Sequence, residues 1–173
     1  LIIIVALIFA GHSQKGEILT PGKFKELHNK YRKMVRDGLV PSQPKAKELP
    51  DLVTCKNDRI YIRQILDDRL TNDATKWAKK CVFVSGTNLS DGENIAMAAS
   101  LEVDPVTEWY KENESYKYGG ITVDTFGKTG HYTQMVWADT KYLGCFQQLC
   151  DPLKFGKNGT LGKMYFSVCR YSP

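Results

Sequence analysis

Apolar side chains recur at Phe24, Leu27, Tyr31, Met34 and Val35, in steps that place them on one face of a helix. Thr20 and Pro21 supply an N-cap and a first-turn proline, and Gly38 supplies a stop, so a first helix is predicted between them. His28 and Asn29 lie beside the stripe, where a helical histidine reads first as a hydrogen-bonded core or boundary residue. Over residues 39–57 the periodicity lapses, and Pro41, Pro44 and Pro50 among lysines predict a long surface connection. Ile60, Ile62, Ile65 and Leu66 then lead to Asp67, the expected cap of a second helix whose buried face carries Leu70, Ala74, Trp77, Ala78 and Cys81.

Residues 86–90 read as a loop and 92–99 (GENIAMAA) as a short helix with Glu93 near its positive end. Asp104-Pro105 caps a further helix expected to run to about Tyr116. Its Val106, Trp109 and Tyr110 face inward, Lys111 and Glu114 face out, and Glu112 leaves that face toward a neighbouring cleft. Residues 116–130 (YKYGGITVDTFGKTG) mix aromatic rings with four glycines and read as a mobile loop. Residues 143–149 and 163–171 predict two antiparallel strands joined by a Pro/Gly/Asn loop, which makes the chain α+β with its small sheet at the end.

The first nine residues, LIIIVALIF, are uninterrupted apolar and are followed by Ala10, Gly11 and Ser13. This reads as a partial signal peptide and cleavage region over 1–14, leaving 15–173 as a single domain. The run is far below the roughly 18 to 20 residues that cross a bilayer, so no membrane span is expected. A chain of 173 residues, 42% hydrophobic, suits one core and not two. Five cysteines in a secreted chain imply paired bridges and one thiol over, with Cys55 the expected odd one. Asn88, Asn113 and Asn158 head glycosylation sequons. The net charge of +5 falls largely on Lys23, Lys25, Lys30, Arg32, Lys33 and Arg36, read as a solvated helix face. Sulfated glycans or anionic headgroups would suit that face, whereas nucleic acid is not expected without interleaved aromatics.

The densest chemistry is GHYTQMVWADT, residues 130–140, where an imidazole, a phenol, hydroxyls and an amide precede Met135, Val136 and Trp137. Polar groups so close to an apolar run must be hydrogen-bonded, as at the floor of a cleft. With HNKYR (28–32), GENI (92–95) and the terminal FSVCRYSP (166–173), this stretch resembles, in order, the motifs of the cysteine-rich secretory, antigen 5 and pathogenesis-related type 1 proteins, the CAP superfamily. Within it, the long segment before Asp67 is most similar to the venom-allergen-like proteins secreted by parasitic helminths.

The resemblance implies a three-layer α-β-α sandwich with the sheet between helices. It implies disulfides Cys145–Cys169 and Cys81–Cys150. The family's cleft of two histidines and two glutamates maps here onto His131, Glu93 and Glu112, while its second histidine position is Val84. It further implies sterol binding at a loop here bearing Tyr116, Tyr118 and Phe126, with Gly119, Gly120 and Gly127 as hinges. A fatty acid would lie between the first helix and the WYxE helix, against Phe24, Leu27, Tyr31, Val106, Trp109 and Tyr110.

These residues support several functions. A secreted carrier of sterol or long-chain fatty acid needs only an apolar slot and a movable lip. A hydrolase would work through the imidazole and carboxylates, yet no nucleophile with a nearby base is legible and only one cleft histidine remains. The same His131, Glu93 and Glu112 also read as a stabilising polar network or as a weak divalent-cation site, with no cofactor required. A secreted immunomodulatory ligand of host extracellular proteins would leave no motif. The expectation is an extracellular, non-enzymatic lipid-binding protein.

Overall fold

The computed structural model describes residues 16–53, 61–86, 90–102 and 104–173, and within 61–67 the backbone alone. The leading apolar run, Cys55, Ile60 and Asn88 lie outside the described residues, as do the side chains of Ile62, Ile65, Leu66 and Asp67. The elements run α1 (Pro21–Arg36), α2 (Tyr61–Ala78), β1 (Val82–Phe83), β2 (Gly92–Ala98), α3 (Pro105–Lys111), a 3-10 turn (Glu112–Glu114), α4 (Val123–Met135), β3 (Tyr142–Cys150), β4 (Leu153–Phe155), β5 (Gly159–Leu161) and β6 (Met164–Ser172).

The central sheet has the order β2-β6-β3, antiparallel throughout, and a second small sheet has the order β1-β4-β5. Strand alternation sorts the side chains of β6 into two layers. Cys169 and Tyr171 join Leu143 and Cys145 against Phe24 and Tyr31 of α1, Val106 and Trp109 of α3 and Met135 of α4. Phe166 and Val168 point the other way, against Ala74 and Ala78 of α2. The sheet therefore lies between helices, an α-β-α sandwich. At Gly144 of β3 an added Cβ would fall 2.3 Å from the Thr71 backbone nitrogen, so the absence of a side chain there lets α2 lie directly on the sheet. Cys145–Cys169 crosses between partnered strand positions, and Cys81–Cys150 ties the end of α2 to β3.

Several elements differ from expectation. The segment 92–99 is not a helix, because Gly92–Ala98 pairs residue for residue with β6. Asn94 and Ala96 turn to one face of it and Ile95 to the other, a period of two that small residues obscure. The second helix begins at Tyr61 and runs through Asp67, so Asp67 is not its cap, and it ends at Ala78, with Cys81 beyond it at φ 51°. The connection after α1 is not all surface, because Val40, Leu49 and Leu52 are buried. The loop expected over 116–130 ends at Thr122, since its second half is the start of α4. Gly127 is accordingly a helical residue and not a hinge.

Candidate functional site

Asp104 caps α3 through its carboxylate, which accepts from Thr107 N, and Glu112 opens the turn that follows. Glu112 Oε1 accepts from His131 Nδ1 at 2.6 Å, and Oε2 accepts from the Tyr132 backbone N–H at 3.0 Å. The His131 ring stacks on Trp109, with centroids 5.9 Å apart and planes 17° from parallel. The carboxylate thereby holds a proton on Nδ1 and fixes the orientation of the ring. Among the described residues no hydroxyl or thiol is hydrogen-bonded to Nε2, so the arrangement orients an imidazole without giving it a nucleophile to activate.

Glu93 is held elsewhere. Its neighbour Asn94 reaches the α4 side, donating to the His131 carbonyl at 3.1 Å, so alternation turns Glu93 toward the opposite face. There Oε1 accepts from Gly86 N at 2.8 Å, and Oε2 lies 2.8 Å from Arg170 Nη2, its cross-strand partner. The contact is an ion pair by distance, but Oε2 has no aligned donor and Arg170 Nε no acceptor. The structure therefore joins His131 to Glu112 and Glu93 to Arg170. Val84, at the position of the missing histidine, is exposed. Among the described residues no group of three or more His, Cys, Asp or Glu side chains is placed to hold a metal ion. With both Glu112 oxygens engaged and Glu93 neutralised by Arg170, these donors do not fit a divalent cation as they stand.

Behind the cleft runs a buried polar chain. His28 Nδ1 donates to the Phe24 carbonyl at 2.8 Å, so its Nε2 accepts from Tyr171 Oη at 2.8 Å. Tyr171 Oη in turn accepts from Asn94 Nδ2 at 3.0 Å. Burial drives the His28 pKa down to about 4 and pushes that of Tyr171 well up, so both are neutral links. Arg32, expected on a solvated face, is instead fully buried. Its guanidinium donates to the carbonyl of Pro50 in the connection after α1 (2.9 Å) and to those of Met135 (3.0 Å), Trp137 (2.9 Å) and Thr140 (3.3 Å), which finish α4 and its exit. Of the other expected basic residues, Lys23, Lys33 and Arg36 pair with Glu26, Asp37 and Asp51, leaving Lys25 and Lys30 without a carboxylate partner among the described residues.

The residues expected to hold an acyl chain form packed core: Tyr31 stacks on Tyr110 at 4.0 Å, and Phe24, Val106 and Trp109 are buried. The loop residues face open space instead. Tyr116 and Tyr118, with Val35, Leu49 and Val136, line a cavity of about 710 Å³. Tyr116 also lines a second cavity of about 600 Å³, with Gly119, Gly120, Ile121, Val136 and Trp137. Gly119, at φ 146° and with nothing near its Cβ position, is the backbone position that lets the loop turn. Phe126 is not with the tyrosines: it lines a smaller depression with Ile121 and Val123, its ring over Gly130. Sequence reasoning missed Ile121, Val123 and Trp137, all exposed apolar side chains.

The model of the cysteine-rich secretory protein family matches residues 25–171. The chain is 32% identical over 162 residues to venom allergen 5 of the wasp Polistes fuscatus, covering 84% of this chain and 70% of the allergen. Among solved structures it is similar to NaASP2, crystallised with Zn2+, at a TM-score of 0.69 and 26% identity over 93% of this chain and 83% of that one. It is similar also to venom allergen-like protein 4 of Schistosoma mansoni, at a TM-score of 0.63 and 28% identity over 90% of each chain. Two disulfides fit the extracellular setting of such relatives, and no described helix is long and apolar enough to cross a membrane. On the match across its sheet, cleft and helices, the chain belongs to the cysteine-rich secretory protein family, as an extracellular protein of the venom-allergen type.

Proposed function

We propose that this protein is an extracellular sterol carrier whose ligand lies against Tyr116 and Tyr118. The observation that carries the reading is the pair of neighbouring cavities that Tyr116 lines, each within the roughly 300 to 1,000 Å³ of ordinary small-molecule sites. Their apolar walls come from α1, the 39–53 connection and the end of α4. A rigid fused-ring ligand loses little entropy on docking and gains from every apolar surface it covers. A fatty acid between α1 and α3 would first have to part the Tyr31–Tyr110 stack and the Tyr31 Oη to Thr107 Oγ1 contact of 2.7 Å. The sterol site needs no such opening.

The His131–Glu112 pair then serves to fasten the turn after α3 to α4, which forms one wall, and not to perform hydrolysis. A saturable titration with fluorescent sterol tests the reading. Tyr118→Ala, at a mostly exposed position, should weaken binding several-fold without loss of fold, whereas unsaturable binding by the intact chain would overturn it.

A further inference from the structure

Thr122 and Thr125 form a reciprocal capping box at the start of α4. Ile121 and Phe126 occupy the positions before the cap and four residues after it, where apolar side chains commonly clasp a helix start. That local role accounts for their lining one depression together, yet Phe126 remains 62% exposed. It does not account for Val123, the first helical residue, which borders the same depression yet is 93% exposed.

Ile121 links this tip to the cavity that also holds Tyr116 and Trp137, and Tyr116 links that cavity to the one holding Tyr118. The exposed Tyr118, Ile121, Val123, Phe126 and Trp137 are thus continuous around the mouth of the sterol site. Around them stand Lys45, Lys47, Lys117 and Lys128, all exposed and none ion-paired among the described residues, against Glu48, Asp124 and Asp139.

We propose that this tip is a membrane-docking surface, which seats the mouth of the cavity on a bilayer containing anionic lipid. The inference rests on the carrier reading, since a sterol barely soluble in water must pass between bilayer and cavity without crossing open solvent. Apolar side chains at a helix end, with an indole and a phenol beside them, match the bilayer interface, where aromatic rings prefer to lie. The lysines outnumber the acids by one, so docking depends first on apolar insertion and second on lipid charge. A single valine at 93% exposure, at the tip of a helix end and not in a shaped pocket, fits insertion among acyl chains.

Sedimentation of the full chain with phosphatidylcholine vesicles, with and without phosphatidylserine, tests this, alongside quenching of tryptophan fluorescence by brominated lipid, compared between the intact chain and Trp137→Phe. The intact protein should partition onto both vesicle types, more strongly onto the anionic ones, and Val123→Asp should reduce partitioning about tenfold while its circular dichroism is unchanged. Sterol uptake from cyclodextrin in solution should survive Val123→Asp. Absence of vesicle binding by the intact chain, or equal partitioning of the variant, would overturn the docking surface. Val123-dependent partitioning without sterol uptake from cyclodextrin would instead remove the carrier reading and leave the docking surface standing.

Discussion

Four side chains of the HNKYR motif each settle a long-range hydrogen bond. His28 reaches Tyr171, Asn29 clamps both backbone groups of Leu52, Tyr31 reaches Thr107, and Arg32 collects four carbonyls. Arg32→Ala would strand acceptors at the end of α4, and since each buried unsatisfied group costs about 1 to 3 kcal/mol, urea unfolding should show a loss of roughly 3 to 5 kcal/mol. His28 makes stability depend on pH. Its folded pKa, about 4, lies below the ordinary 6.5, so the unfolded chain binds the proton first. Stability from this residue is complete above pH 6.5 and falls as the pH drops toward 4, by a limit of roughly 3 kcal/mol. Denaturation curves of His28→Gln should start lower at pH 7.5 and slope less across that window. At the sequons, Asn158 is exposed, whereas Asn113 Nδ2 donates to the Tyr110 carbonyl at 2.6 Å. Glycopeptide mass spectrometry of protein from a eukaryotic host should find Asn158 occupied and Asn113 bare.

Elements with strong local punctuation were legible in the sequence: Thr20-Pro21 and Asp104-Pro105 start α1 and α3 where expected, and β3 and β6 fall on the two segments expected to be strands. The start of α4 was punctuated too, by Ile121, the Thr122–Thr125 box and Phe126, but the glycines around it outweighed that signal. β2 was not legible, because glycine, asparagine and alanines give no clear period and its conformation comes from pairing with β6. Of the cleft, the proximity of Glu112 to His131 could be anticipated. The Glu93–Arg170 pairing could not, since it depends on strand register. At this scale the disulfides make different contributions. Cys81–Cys150 spans 69 residues and Cys145–Cys169 spans 24, so loop-closure entropy predicts losses of about 4 and about 3 kcal/mol for their respective double alanine variants. Thermal unfolding should rank the first variant below the second.

Across the whole molecule, one face of the sheet is covered by α2, while the other carries α1, α3 and α4, with a cavity beyond the end of α4. The buried chain from Phe24 through His28, Tyr171 and Asn94 to His131 fixes α1, β6, β2 and α4 against one another. On the carrier reading proposed above, the 115–122 segment is the part that admits the ligand, with Tyr116 lining both cavities. The most direct measurement is therefore competition between labelled cholesterol and palmitate on the intact protein and on Tyr118→Ala. Saturable cholesterol binding is expected, weakened several-fold by Tyr118→Ala and not displaced by palmitate. Cholesterol binding that is absent, or that is unchanged by Tyr118→Ala and lost on substitution within the Tyr31–Tyr110 stack, would contradict the carrier reading.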